Sequence, residues 1–267
     1  MKNLRNQYDI EMLQFELLGS FCNISHFITT RNGGDAADPY ASFNLCDYTG
    51  DHPDHVALCR RQMADILNLI PADFLFPRQV HGDGILVATS SQSFSEDGMA
   101  DSGEYDAVIT ATPGVCLGIS TADCVPVLLY DPHKRVIAAV HAGWRGTVQH
   151  IVSKTVRRMS SEFGCLPCEI IAGIGPSISP AVFEVGEEVT DAFRQAGFNE
   201  VCSTSEIPGK GYVDLWEANK QDLLVSGVLP DHIEVAGLCT YSHSDKFFSA
   251  RRLGIKSGRI VSGIVLR

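Results

Sequence analysis

Four apolar segments follow one another between residues 107 and 141, with no room for a helix between them. They are Ala107–Thr110, Val115–Ser120, Val125–Tyr130 and Arg135–His141. Pro113-Gly114, Thr121-Ala122-Asp123-Cys124 and Asp131-Pro132 separate them. Short apolar runs bounded by turn residues read as strands, and strands this close must pair through tight turns. A regular βαβ repeat is excluded, because each crossover needs a helix-length connection. Helices are predicted on either side. From Pro53 to Leu69, the residues Val56, Cys59, Met63, Ile66 and Leu67 recur at helical spacing. A helix starting near Thr147 aligns Val148, Ile151, Val152, Val156, Met159 and Phe163 on one face, and Gly164 supplies its stop. Gly186–Gln195 and Leu215–Val225 also read as helices. Ile85–Val87, Ile170–Ile174, Ile233–Leu238 and Ile260–Leu266 read as strands. The expected fold is a mixed α/β sandwich. With no internal repeat, low-complexity tract or linker, residues 1–267 read as one continuous domain.

Composition narrows the function. The formal charge is −11, from 32 acidic and 21 basic residues, so no broad face for a nucleic-acid polymer is expected. A small anion remains possible, since a few placed arginines suffice to hold one. Asp9, Glu11, Gln14 and Glu16 break the apolar residues of the N-terminus, which does not read as a signal peptide. No stretch approaches the roughly 20 apolar residues that span a bilayer. The expectation is a soluble cytoplasmic protein whose nine cysteines are reduced. The sequence carries no signal for an oligomeric state.

Three segments place a metal-type ligand beside a turn: Arg78-Gln79-Val80-His81-Gly82, Thr121-Ala122-Asp123-Cys124 and His141-Ala142-Gly143-Trp144-Arg145-Gly146. His141 ends an apolar strand just before a helix, where ligands of α/β sheets tend to sit. Two histidines and a thiolate suit zinc and leave a coordination position open. The other reading is that Cys124 packs in the core and each histidine is simply hydrogen-bonded. Residue types and spacing alone leave both readings standing.

The motifs RQVHG, TADCVPVLLYDP, HAGWRG, GIGPSI, FEVG and CTYSHSDKFFSARR, with the earlier ISHFITTRNGG and PYASFNL, resemble those of the YfiH family. That family was once called multicopper polyphenol oxidase or laccase-domain protein. The resemblance runs from about Ile24 to Leu266. It implies an α/β/β/α sandwich and a metal site at His81, Cys124 and His141. It also implies phosphorolysis of adenosine, inosine, guanosine and methylthioadenosine, and deamination of adenosine. One departure is Ala250, where the family usually has a tyrosine.

Zinc is the implied cofactor. Copper is disfavoured, because a trinuclear cluster needs closely spaced histidine pairs and no His-x-His occurs. An alternative activity is amide cleavage in editing peptidoglycan precursors, with Cys124 as nucleophile and a histidine as base. Phosphorolysis needs phosphate beside the anomeric carbon. Arg145, with the helix end that follows it, is a candidate holder, as are Arg31 in the loop Thr29–Asp35 and Arg251 near the C-terminus. Deamination needs a proton shuttle. The His-x-Glu and Pro-Cys-x-x-Cys signature of zinc nucleobase deaminases is absent, which leaves Asp123 and Asp83 as candidates. Cys46, His52, His55 and Cys59 imitate a zinc knuckle. Cys59 falls on an apolar helix face, so no second metal site is expected there.

Overall fold

The computed structural model describes residues 1–32, 38–89 and 99–267. Two sheets lie face to face between outer layers of helix. The first has seven strands, in the order Lys2–Arg5, Glu11–Gln14, Ile24–Thr29, Ile260–Leu266, Cys116–Thr121, Phe74–Arg78 and Met99–Glu104. The second has six, in the order Ile233–Val235, Ile171–Ile174, Val125–Asp131, Val136–Ala142, Ala107–Thr110 and Ile85–Ala88. Both are mixed. Val136–Ala142 is antiparallel to both neighbours, whereas Ile85–Ala88 and Ile233–Val235 join in parallel. A small third sheet pairs Glu184–Gly186, Lys210–Val213 and Cys202–Thr204.

The alternation of strand side chains explains the layering. On Val125–Asp131, the residues Val125, Val127 and Leu129 face helices, against Ile151, Val156 and Met159 of Ile151–Phe163 and Val189 and Phe193 of Glu187–Gln195. From the same strand, Leu128 and Tyr130 face the seven-stranded sheet, packing with Leu117, Ile119, Ile260 and Ile264. That sheet's far side buries Phe27, Cys116, Val261 and Val265 against Cys59, Met63, Ala64 and Leu67 of the helix Pro53–Leu67. The result is the α/β/β/α sandwich. No helix among the described residues is long and apolar enough to cross a membrane.

Two expectations need correction. The helix predicted from Thr147 begins earlier, as Trp144–Val148, and breaks before Ile151–Phe163. At the break His150 takes a left-handed conformation, with φ 59°, and bonds Asp222 through Nδ1. The strand Ile24–Thr29 reaches into the predicted loop, whose Gly33, Gly34 and Asp35 lie outside the described residues.

His26 sits on that strand and is 2% exposed. Its Nε2 accepts the Phe15 N–H at 2.9 Å, and its ring stacks on Phe15. Burial holds the imidazole down to about 4. Unfolded, a histidine titrates near 6.5, so between these values the unfolded chain binds a proton that the folded one refuses. The contribution is intact above pH of about 6.5 and is lost as pH falls towards about 4, amounting to about 3 kcal/mol. In urea denaturation of wild type and His26→Gln, the stability difference should shift by that amount in the variant's favour between pH 7 and 4. A difference that stays constant with pH would contradict this.

Candidate metal centre and its cleft

The site is built around a carboxylate that the sequence reading did not single out. Asp106 precedes the buried strand Ala107–Thr110 and is wholly buried. Its Oδ1 accepts the His81 N–H at 2.9 Å and His141 Nδ1 at 2.7 Å. Its Oδ2 accepts the N–H groups of Gly82 at 2.7 Å and Val80 at 3.2 Å. Since a carboxylate only accepts, Nδ1 of His141 carries the proton and Nε2 is left for the site. One oxygen therefore fixes both histidines, one by its ring and one by its backbone. Burial opposes ionisation of Asp106, but the His141 hydrogen bond and charge and these N–H donors hold it below the usual carboxylate range.

Cys124 comes from the turn between the strands Cys116–Thr121 and Val125–Asp131. Asp123 takes a positive φ of 91°, which turns the chain sharply between two strands. Its carboxylate accepts from Thr240 Oγ1 and from the Arg251 N–H, each at 2.7 Å. The Ile178 N–H donates to its carbonyl at 3.0 Å. The turn is thus pinned to the GIGPSI and CTYSHS segments. Both oxygens of Asp123 are committed, so it works as a clamp beside Cys124.

The ligand atoms of His81, Cys124 and His141 all lie within 4.8 Å of one another. Among the described residues they form the one group of three or more such side chains able to hold a metal. Gly143 makes the floor. A Cβ there would stand 3.1 Å from His81 Cδ2 and 3.2 Å from Cys124 Sγ. At Gly146 a Cβ would meet the Gly82 carbonyl at 2.9 Å, so both glycines let the HAGWRG turn close on the histidine loop. Burial pushes the Cys124 thiol up, but the imidazoles of His141 and His81 reverse this and bring it to about 6. Burial disfavours imidazolium at His141, yet the Cys124 and Asp106 charges raise it to about 9. The pair is thus a thiolate beside an imidazolium, and a metal held there would displace the Nε2 proton, leaving thiolate and neutral imidazole as donors.

The triad opens into a cleft of about 440 Å³, lined also by Tyr48, Pro77, Arg78, Gln79, Ser120, Thr121, Ala122, Ala250, Ile255 and Arg259. Gln79 anchors its wall. Its Oε1 accepts both the N–H and the hydroxyl of Ser120, and its Nε2 donates to the Ser120 carbonyl, each at 2.9 Å. A more apolar cleft of about 390 Å³ lies elsewhere, between Val56, Ala57 and Met63 and the rings of Phe74 and Phe76. It contains none of the triad.

The expected arginines do not line the cleft. Arg31 is 1% exposed and donates to the carbonyls of Ala41, Ser244 and Asp38, with Phe248 beneath it. Arg145 is exposed on a five-residue helix and covers Trp144. The Arg251 guanidinium donates to the Glu184 carbonyl, away from its own N–H bond to Asp123. Asp83 pairs with Lys154 on the surface. In the imitation knuckle, His55 bonds Asp51 and the Ser42 carbonyl with Cys59 at 3.5 Å, while His52 points to solvent.

Residues 25–267 match the family described as multi-copper polyphenol oxidoreductase laccase. The chain belongs to this family, the YfiH family. It is 49% identical to a purine nucleoside phosphorylase of Bacteroides thetaiotaomicron over 267 residues, 97% of each chain. It is 37% identical to adenosine deaminase RL5, from an unknown prokaryotic organism, over 96% of this chain and 98% of that one. The hypothetical protein YfiH of Bacillus licheniformis superposes with a TM-score of 0.88 at 33% identity, covering 96% of both chains. This YfiH-family chain is therefore related along nearly its whole length to enzymes of purine metabolism.

The donor set fits zinc: two imidazoles, a thiolate and a floor without a side chain. Asp106 supplies the outer hydrogen bond that sets the tautomer of His141, as the partner of a metal-binding histidine would. Asp106→Asn should weaken zinc binding roughly 10–100-fold in chelator competition, with the far-UV spectrum preserved. An unchanged affinity would mean that His141 keeps its pose without the carboxylate.

Proposed function

We propose that this chain is a zinc-dependent purine nucleoside phosphorylase that also deaminates adenosine, acting in the cytoplasm. The proposed substrates are adenosine, inosine, guanosine and methylthioadenosine, with phosphate. The observation that carries the reading is the His81, Cys124 and His141 group opening into a cleft of small-molecule size. The whole-length likeness to proteins named purine nucleoside phosphorylase and adenosine deaminase supports it.

In phosphorolysis a phosphate oxygen bonds to the anomeric carbon while the bond to the purine nitrogen breaks. The electron pair leaves with the base, which takes up a proton. Bound at His81, Cys124 and His141, zinc supplies a positive centre that stabilises negative charge developing nearby. The chain's own residues fix the geometry. Asp106 keeps His141 in one tautomer, and Gln79 and Ser120 hold the wall that Tyr48 flanks. Thr121, Ala122 and Ala250 line the same cleft as the triad. Zinc is preferred over the copper of a multicopper oxidase because a trinuclear cluster needs closely spaced histidine pairs and the sequence contains no His-x-His.

One observation favours a second reading. Cys124, His141 and Asp106 also form a nucleophile, base and orienting-carboxylate series, as an amide-cleaving enzyme would need. Purified protein with adenosine and phosphate should release adenine and ribose 1-phosphate. The absence of release from every purine nucleoside tested would overturn phosphorolysis. Cys124→Ala should lose both bound zinc, by elemental analysis, and at least about 100-fold in turnover. A variant that keeps its zinc and loses turnover would favour the nucleophile reading.

A further inference from the structure

A phosphorylase must hold an inorganic anion in a chain whose net charge is −11. The cation for this must lie at the cleft and have its guanidinium available. Two arginines line the cleft, Arg78 and Arg259. Arg259 is committed to backbone: its Nη1 donates to the Ser257 and Gly258 carbonyls, and its Nη2 to that of Ile255. Arg78 differs. Its backbone is fixed in the strand Phe74–Arg78, where its carbonyl accepts the Tyr105 N–H at 3.1 Å. Its side chain is 71% exposed and faces the Glu104 carboxylate at 3.7 Å, itself 56% exposed. An exposed pair at this separation holds only weakly, so an incoming anion can displace it. His81 lies three residues further along the same segment.

We infer that Arg78 is the residue that positions the phosphate co-substrate at the mouth of the cleft, exchanging the Glu104 carboxylate for the phosphate oxygens. This rests on the phosphorolysis reading above. A guanidinium presents two parallel N–H donors that match a phosphate edge, which a lysine ammonium cannot reproduce. The role is specific to the phosphate half of the chemistry, because deamination consumes water instead.

The test uses the zinc-loaded full chain. Arg78→Gln should raise the KM for phosphate about tenfold or more, with a smaller change in kcat at saturating phosphate. The ratio of phosphorolysis to adenosine deamination should fall by a similar factor at fixed phosphate. Arg78→Lys should recover part of the loss, since it restores the charge but not the fork. Zinc content, measured in parallel, should stay at the wild-type level. An unchanged phosphate KM in Arg78→Gln, beside an active wild type, would overturn the role of Arg78 alone. So would equal losses of phosphorolysis and deamination, which would mark Arg78 as a wall residue. A wild type that converts no nucleoside with phosphate would overturn the phosphorolysis reading and this inference with it.

Discussion

The carboxylate of Asp106 is the point from which the site is built. It has no access to water, so its charge needs partners, and four N–H groups supply them. Three come from the backbone of Val80, His81 and Gly82, the fourth from His141. Without that demand the histidine loop would have no reason to close over the end of the strand Val136–Ala142. The buried charge and the ligand geometry are two descriptions of one arrangement.

The sandwich explains why such a residue is available. Tight turns at the ends of the central strands bring Asp106, Cys124 and His141 to the same edge of the layers. The seven-stranded sheet contributes the strand Phe74–Arg78, which leads directly into Gln79 and His81. Each sheet thus supplies part of the triad. Gly143 and Gly146 then permit an approach that any side chain would block.

Much of this was legible in the sequence. The apolar runs at Val125–Tyr130 and Arg135–His141 marked their strands, because a strand buried on both faces has nothing polar to blur it. The N-terminal strands were not recognised. Lys2, Asn3, Arg5, Glu11 and Gln14 lie at or near a sheet edge, where partial exposure tolerates polar residues. Pro77 disguised the strand Phe74–Arg78 in the same way. In the site, turn residues beside His81, Cys124 and His141 were visible. Asp106 was not, since a lone aspartate before a strand reads as a turn. The one available signal was its place at the head of the fully buried run Ala107–Thr110. The places of the arginines were hidden for a related reason: charge is visible in sequence, but its use is not. Arg31 holds three carbonyls inside the protein, while Arg78 stands at the cleft with its fork exposed.

The clamp on Asp123 has a consequence for how the protein is made. Its partners Thr240 and Arg251 stand 117 and 128 residues further along the chain. A nascent chain that has already released His81, Cys124 and His141 from the ribosome still lacks the pieces that fix the cysteine turn. Contacts of such separation form late, because loop closure must come first. The cysteine turn therefore takes its final form only after residues as far along as Arg251 have joined the fold.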